Sequence, residues 1–244
     1  MQCSIPKGER KMEGFASPNE REARMKQEQF NRCNDMGDRL KLLFILKIIS
    51  SVLNILLMVF VANSAAVLAL IGADVETVIT SAKVTVLTFE LITLGIGIVY
   101  GILTMRMGKY MSEFSSAGLF TIIDALITFA YDYTGANVLS LIAAAFGILY
   151  VMCFADGMKM SLRGFSVANS VDSILACDWE KFKNMNIKML IVLGVSIIVM
   201  FVPFVNLLVL PVLLIVVIGA FALEIWELIL MYKSSVSMKN YVPV

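Results

Sequence analysis

Histidine is absent from the 244 residues. Imidazole is therefore excluded as a metal or haem ligand, phosphoacceptor or general base, and many enzyme classes go with it. The four cysteines, Cys3, Cys33, Cys153 and Cys177, contain no C-x-x-C pair, so reduced thiols are expected rather than a metal or redox centre. There is no G-x-x-x-x-G-K-[ST] loop to hydrolyse ATP, and neither G-x-S-x-G nor H-E-x-x-H occurs. The expectation is a protein that is not an enzyme, with no catalytic residue, cofactor or metal.

Charge is scarce as well. Charged residues make up 16% of the chain and hydrophobic ones 59%, with a mean hydropathy of +0.85. A water-soluble domain does not have this composition, so the lipid bilayer is the expected surrounding. The formal net charge of +1 says little about partners, because in a membrane protein the distribution of charge matters more than its sum; no nucleic-acid partner is expected. Met1 to Arg39 holds no apolar run and mixes eight basic with seven acidic residues, unlike a cleaved signal peptide. Gln2 and the final Tyr-Val-Pro-Val give no lipidation signal.

What is present in quantity is long apolar sequence. A helix needs roughly 20 mostly apolar residues to cross the hydrocarbon. Segments of that kind run over Leu40 to Ala62, Ile79 to Met105, Ala117 to Tyr133, Val138 to Asp156, Ile187 to Val202 and Leu207 to Tyr232. The expected fold is an all-α integral membrane bundle of about six transmembrane helices, because lipid-facing backbone must be hydrogen-bonded within its own segment. The fifth segment is the weakest, and its tight Pro203-Phe204-Val205-Asn206 link to the sixth also fits a re-entrant hairpin. Three regions follow: a polar tail over 1–39, partly helical; a membrane domain over 40–233; and a short tail over 234–244. Segments one to three show no convincing inverted match to four to six, so no repeat is read.

Nineteen of the twenty Lys and Arg residues fall on one side of this topology; Lys83, at the far end of segment two, is the exception and is expected to snorkel. The opposite loops, near Gly72-Ala73-Asp74, Asp132 to Asn137 and Pro203 to Asn206, hold none. By the positive-inside rule both termini are expected in the cytoplasm, and a compact chain of this kind fits a bacterial cytoplasmic membrane. Two elements on that side have local signals. Ser17-Pro18-Asn19-Glu20 reads as an N-cap, a proline at the first helical position and a capping-box glutamate. Val171, Ile174, Leu175, Trp179 and Phe182 recur at helical spacing, predicting a cytoplasmic amphipathic helix between spans four and five, with Trp179 at headgroup depth.

Carboxylates inside apolar segments are the remaining chemical signal, since each costs about 2.5 to 3.5 kcal/mol on insertion scales and turns toward protein or water. Glu90 shares a stripe of segment two with Gly97 and Gly101, whose G-x-x-x-G spacing predicts close helix packing. Asp124 lies in segment three on a face with Thr121, Thr128 and Tyr131. Glu224 and Glu227 share a face of segment six, while Asp156 ends segment four. Glu90, Asp124, Glu224 and Glu227 form the candidate intramembrane polar site. The function expected from this pattern is a small permease-like component that binds or moves a solute, as a membrane subunit with an ATPase partner or as an oligomer of itself. The alternative is a non-transporting scaffold, sensor or regulator that engages cytoplasmic proteins.

Overall fold

The structure is a computed structural model that describes residues 18–70, 75–165, 170–200 and 206–241. Among them there is no strand. Helix α1 (Pro18–Leu70) begins on Pro18, whose missing N–H is harmless in the first turn; Ser17 lies outside the described residues. At 1.5 Å per residue its 53 residues reach about 80 Å. The tail helix and the first apolar segment are therefore one rod, with no break at residue 39. Helix α2 (Val75–Arg106) leads through a 3-10 turn, Met107–Lys109, into α3 (Ser112–Thr134). Gly135 stops α3 at φ 68° and donates its N–H to the Tyr131 carbonyl, a left-handed cap that residues with a Cβ rarely adopt. Helices α4 (Asn137–Phe165), α5 (Ser170–Met200) and α6 (Asn206–Lys239) complete the chain.

Each helix packs antiparallel on the next, and α6 closes on α1, so the six form a ring. The register of each seam is visible in its side chains. Gly101 abuts Gly118 between α2 and α3, Phe114 stacks edge-on against Phe154 between α3 and α4, and Lys183 bonds Asp156 at 2.6 Å between α5 and α4. Trp179 donates its indole N–H to Ser234 at 3.0 Å between α5 and α6. Ser235 donates to the Gly37 carbonyl at 2.8 Å, and Lys239 pairs with Asp38, between α6 and α1.

Described core residues concentrate at the end of the ring where α1 enters and α6 leaves. Met36, Leu40, Leu43, Met107, Phe114, Met158, Trp179 and Met231 are fully buried there. Phe154, Trp179, Phe182 and Trp226 continue the packing as consecutive ring contacts 5.6 to 5.9 Å apart, each adding about 0.5 to 1.5 kcal/mol beyond simple burial. Around this plug the basic residues pair with acids: Lys159 with Glu180 at 2.8 Å, and Lys109 with Asp35 at 2.6 Å.

Asp35 is the hub of the α1–α3 corner, five residues before the apolar stretch that starts at Leu40. Lys109 first, then Tyr110 and Arg39, donate to its carboxylate and hold its pKa down at about 2. A carboxylate depressed below its unfolded value of about 3.9 adds stability that is complete above that value and lost as pH falls toward 2. Asp35→Asn is expected to remove that pH-dependent part, at most about 1 kcal/mol because the group is half-exposed. Thermal unfolding in detergent between pH 5 and pH 2 should show a smaller acid slope in the variant; an unchanged slope would assign acid sensitivity elsewhere.

The outward faces are apolar. Ile55, Leu91, Leu141, Leu214, Ile215 and Val217 are each more than half exposed, a belt that water would not tolerate over such an area. Five helices, α1 to α4 and α6, are long and apolar enough to cross a membrane by length and composition. The chain is thus an all-α protein built for a membrane. The apolar part of α5 begins only near Ile187, leaving about 21 Å of apolar helix before Met200.

One expectation is corrected here. The segment carrying Trp179 is not a separate interfacial helix, because α5 runs unbroken from Ser170 to Met200. Leu175, Trp179 and Phe182 are buried in the bundle core, and only Ile174 of the described members of that stripe is exposed; the Val171 side chain lies outside the described residues. A stripe with three-and-four spacing suits a lipid interface or a helix partner equally. Here Ser234 supplies a bond for the indole N–H, which lets the ring go inside.

Candidate functional site: a polar cavity inside the helix ring

Toward the other end the ring loosens around a cavity of about 590 Å³, to which all six helices contribute lining. Its wall toward the core is a hydrogen-bonded chain that crosses the lumen. Lys47 of α1 pairs with Glu227 of α6, Glu227 accepts a bond from Tyr150 of α4 at 3.0 Å, and the Tyr150 and Tyr100 hydroxyls meet at 2.6 Å. The Lys47 ammonium also lies 5.9 Å from the Tyr150 ring centre, within cation–π range. Four helices are tied at one level, and the aromatic plug lies directly behind them.

The reason Lys47 points inward is in the sequence of α1. Cys33, Met36, Leu40, Leu43, Lys47, Ser50 and Asn54 follow one another at alternating spacings of three and four, which keeps them on one stripe. The first four are buried in the core, while Lys47, Ser50 and Asn54 line cavities. The inward face of one helix thus turns from apolar to polar where the plug ends.

A second cavity of about 270 Å³ adjoins the first, sharing Ser50, Gly97, Thr121 and Asp124 with it. Glu90 and Asp132 border this smaller space close enough to feel each other's charge. Glu90 therefore sits beside the last turn of α3, which ends at Thr134. Asp124 borders both cavities and has no hydrogen-bond or ion-pair partner among the described residues.

The predicted site residues are thus divided. Asp124, Glu224 and Glu227 line the main cavity, and Glu90 with Asp124 lines the smaller one. Glu224 and Glu227 share a face but have separate partners on α1: Glu227 takes Lys47, and Glu224 accepts a bond from Ser51 at 3.3 Å. Asp156 stays outside, paired with Lys183. Gly97 and Gly101 lie on the α2–α3 seam, where an added Cβ would come within 2.8 Å of Ala125 and 2.5 Å of Ile122. That contact brings Glu90 and Asp124 to one cavity.

Sequence reasoning did not single out Lys47, Tyr100, Tyr150 or Asp132. Lys47 is one of the nineteen basic residues on the cytoplasmic side of the expected topology, and its place on the α1 stripe is the signal for its burial. Tyr100 follows Glu90, Thr93 and Gly97 at three-and-four spacing on α2, so it too was legible. No local pattern marks Tyr150 or Asp132, whose partners come from other helices.

Compared with known protein families, curated proteins and solved structures, the chain matches none.

Proposed function

We propose that this protein is a small permease-like membrane component that takes a solute into the cavity on the axis of its helix ring. The observation that carries the reading is a cavity lined from all six helices, with its polar cross-link at one end. A cavity of about 590 Å³ is in the size range of small-molecule sites, roughly 300 to 1,000 Å³. A purely structural bundle gains nothing by leaving its centre unfilled while lining it with carboxylates, because packing and desolvation both disfavour that arrangement.

In this reading α5 crosses with the other five helices, supported by the exposed Ile191, Val192 and Val195 on its outer face. Six crossings put both termini in the cytoplasm by the positive-inside rule, in a bacterial cytoplasmic membrane. The plug and the Lys47–Glu227 pair then close the cavity toward the cytoplasm, and passage requires that closure to open. Without a P-loop, active uptake draws on an ATPase partner or on an ion gradient, and a second copy of the chain is the other candidate partner.

Ala144 lines the cavity and presents no bulk of its own. Ala144→Phe is expected to abolish solute-induced thermal stabilisation of purified protein while leaving the helical content intact. If no solute stabilises the wild type in a broad screen, the permease reading fails.

One observation favours the scaffold reading. From Asn19 to Arg32, α1 is mostly exposed and extends from the bundle as a polar helix. Removing residues 1–31 spares the buried Cys33 and Met36, so bundle stability should change by less than about 1 kcal/mol. A scaffold would nonetheless lose the protein that co-purifies with it from native membranes, whereas a self-contained carrier would keep its uptake.

A further inference from the structure

The main cavity is lined by three carboxylates, Asp124, Glu224 and Glu227, and by one basic residue, Lys47. Lys47 and Glu227 satisfy each other. Asp124 and Glu224 remain without a cation among the described residues, and the adjoining cavity adds Glu90 and Asp132 with no basic residue. By residue type, the two linings together hold five carboxylates, Asp124, Glu224, Glu227, Glu90 and Asp132, against the one basic side chain of Lys47. In a membrane interior a carboxylate stays ionised only with a counter-charge or water beside it, and otherwise takes up a proton.

The cavity of about 590 Å³ gives these carboxylates room for a ligand, and one end of its lining shows how an ammonium is held there. The cavity already holds an ammonium: the Lys47 amine is bound by the Glu227 carboxylate and lies near the Tyr150 ring, with the tyrosine fixed by Glu227 and Tyr100. The rest of the wall is mainly apolar, including Ile96, Ile148, Val151 and Leu193. Ser50, Thr121 and Asn186 add oxygen atoms to the lining, but among the described residues no three His, Cys, Asp or Glu side chains are grouped so as to hold a metal ion. An ammonium with a hydrocarbon body fits both halves of the lining: the charge toward Asp124 and Glu224, the body along the aliphatic wall.

We propose that the central cavity is a binding site for a small organic ammonium, with Asp124 as its principal counter-charge and Glu224 as the second. This rests on the solute-binding reading and specifies its substrate class.

The test is equilibrium binding of radiolabelled 2-phenylethylammonium to the full-length protein in nanodiscs, with empty nanodiscs subtracted, and with 2-phenylethanol and 3-phenylpropionate as neutral and anionic competitors. The expected result is saturable binding of the ammonium, displacement by neither competitor at equal concentration, and a loss of about tenfold or more in Asp124→Asn. If Asp124→Asn does not fold, Glu224→Gln is expected to weaken the same binding several-fold (about threefold or more). Repeating the titration in phosphatidylglycerol and in phosphatidylethanolamine nanodiscs separates two sources of the ammonium. Competition by phosphatidylethanolamine assigns the site to a lipid headgroup, and equal affinity assigns it to a soluble amine. Displacement by the alcohol or the carboxylate as effective as by unlabelled ammonium would overturn the cation preference while leaving a solute cavity in place. Saturable binding that neither substitution weakens would overturn the site itself. If none of the three probes binds, both the ammonium site and the solute-binding reading fall.

Discussion

Lys47→Met is expected to destabilise the bundle by about 3 to 5 kcal/mol, and Glu227→Gln by a similar amount, because each leaves a charged partner in place without its counter-charge. The side chains are 18% and 6% exposed, so water screens the pair far less than it screens the ion pairs at the rim. Both groups are also held by neighbours that do not leave with the mutation. Glu227 still accepts from Tyr150 at 3.0 Å, and Tyr150 still meets Tyr100 at 2.6 Å. The double substitution Lys47→Met with Glu227→Met removes both charges and keeps the long unbranched stems. It is therefore expected to recover most of the loss, the signature of a pair whose desolvation roughly cancels its attraction. Thermal or denaturant unfolding of the four proteins in one detergent gives the coupling energy directly. Additive single effects would mean that the two groups do not interact in the membrane.

The double substitution also bears on function. If the cross-link closes the cavity toward the core, an apolar replacement keeps the closure packed but removes its electrostatic release. Solute binding should then persist while turnover drops. A scaffold with an incidental cavity would show no such separation between binding and turnover.

Helix existence was readable from the sequence because lipid permits few alternatives: each apolar segment had to be a helix, and α1 to α4 and α6 carry the required length. Pairwise contacts were readable only where a local pattern forces them. Gly97 and Gly101 sit four apart, and such spacing asks for a close partner without saying which one; α3 supplies it through Gly118 and Ala125. Trp179 illustrates the opposite case. Its apolar stripe is compatible with lipid, with a soluble partner or with the core, and what decides is Ser234, 55 residues away. The polar cavity was legible in fragments. Glu90 and Asp124 were conspicuous because charge is expensive in an apolar run, but the chain from Lys47 through Glu227 to Tyr150 and Tyr100 joins four helices. No window of one helix contains it.

Gly118→Val should produce the other large effect, and its direction runs against local propensity. Glycine within a helix costs about 0.8 to 1.0 kcal/mol relative to alanine, so filling a helical glycine ordinarily stabilises. At Gly118 an added Cβ would lie 2.4 Å from the Gly101 carbonyl oxygen and 2.5 Å from the Met105 amide nitrogen. Those are backbone atoms of α2, and they cannot swing aside as a side chain does. The seam must open, and α2 and α3 move apart at the contact that brings Glu90 and Asp124 to one cavity. Alanine at 118 is expected to cost about 1 to 3 kcal/mol, the usual range for overpacking, and valine more than alanine. Gly147 of α4 supplies the control, because an added Cβ there meets nothing within 4 Å. Gly147→Ala is expected to be neutral or to stabilise by up to about 1 kcal/mol. Opposite signs at two helical glycines, measured as thermal midpoints in the same detergent, would demonstrate that the α2–α3 seam is in backbone contact. A stabilising Gly118→Ala would show that the helices are farther apart than this, and Glu90 would then have to reach the Asp124 cavity by another geometry.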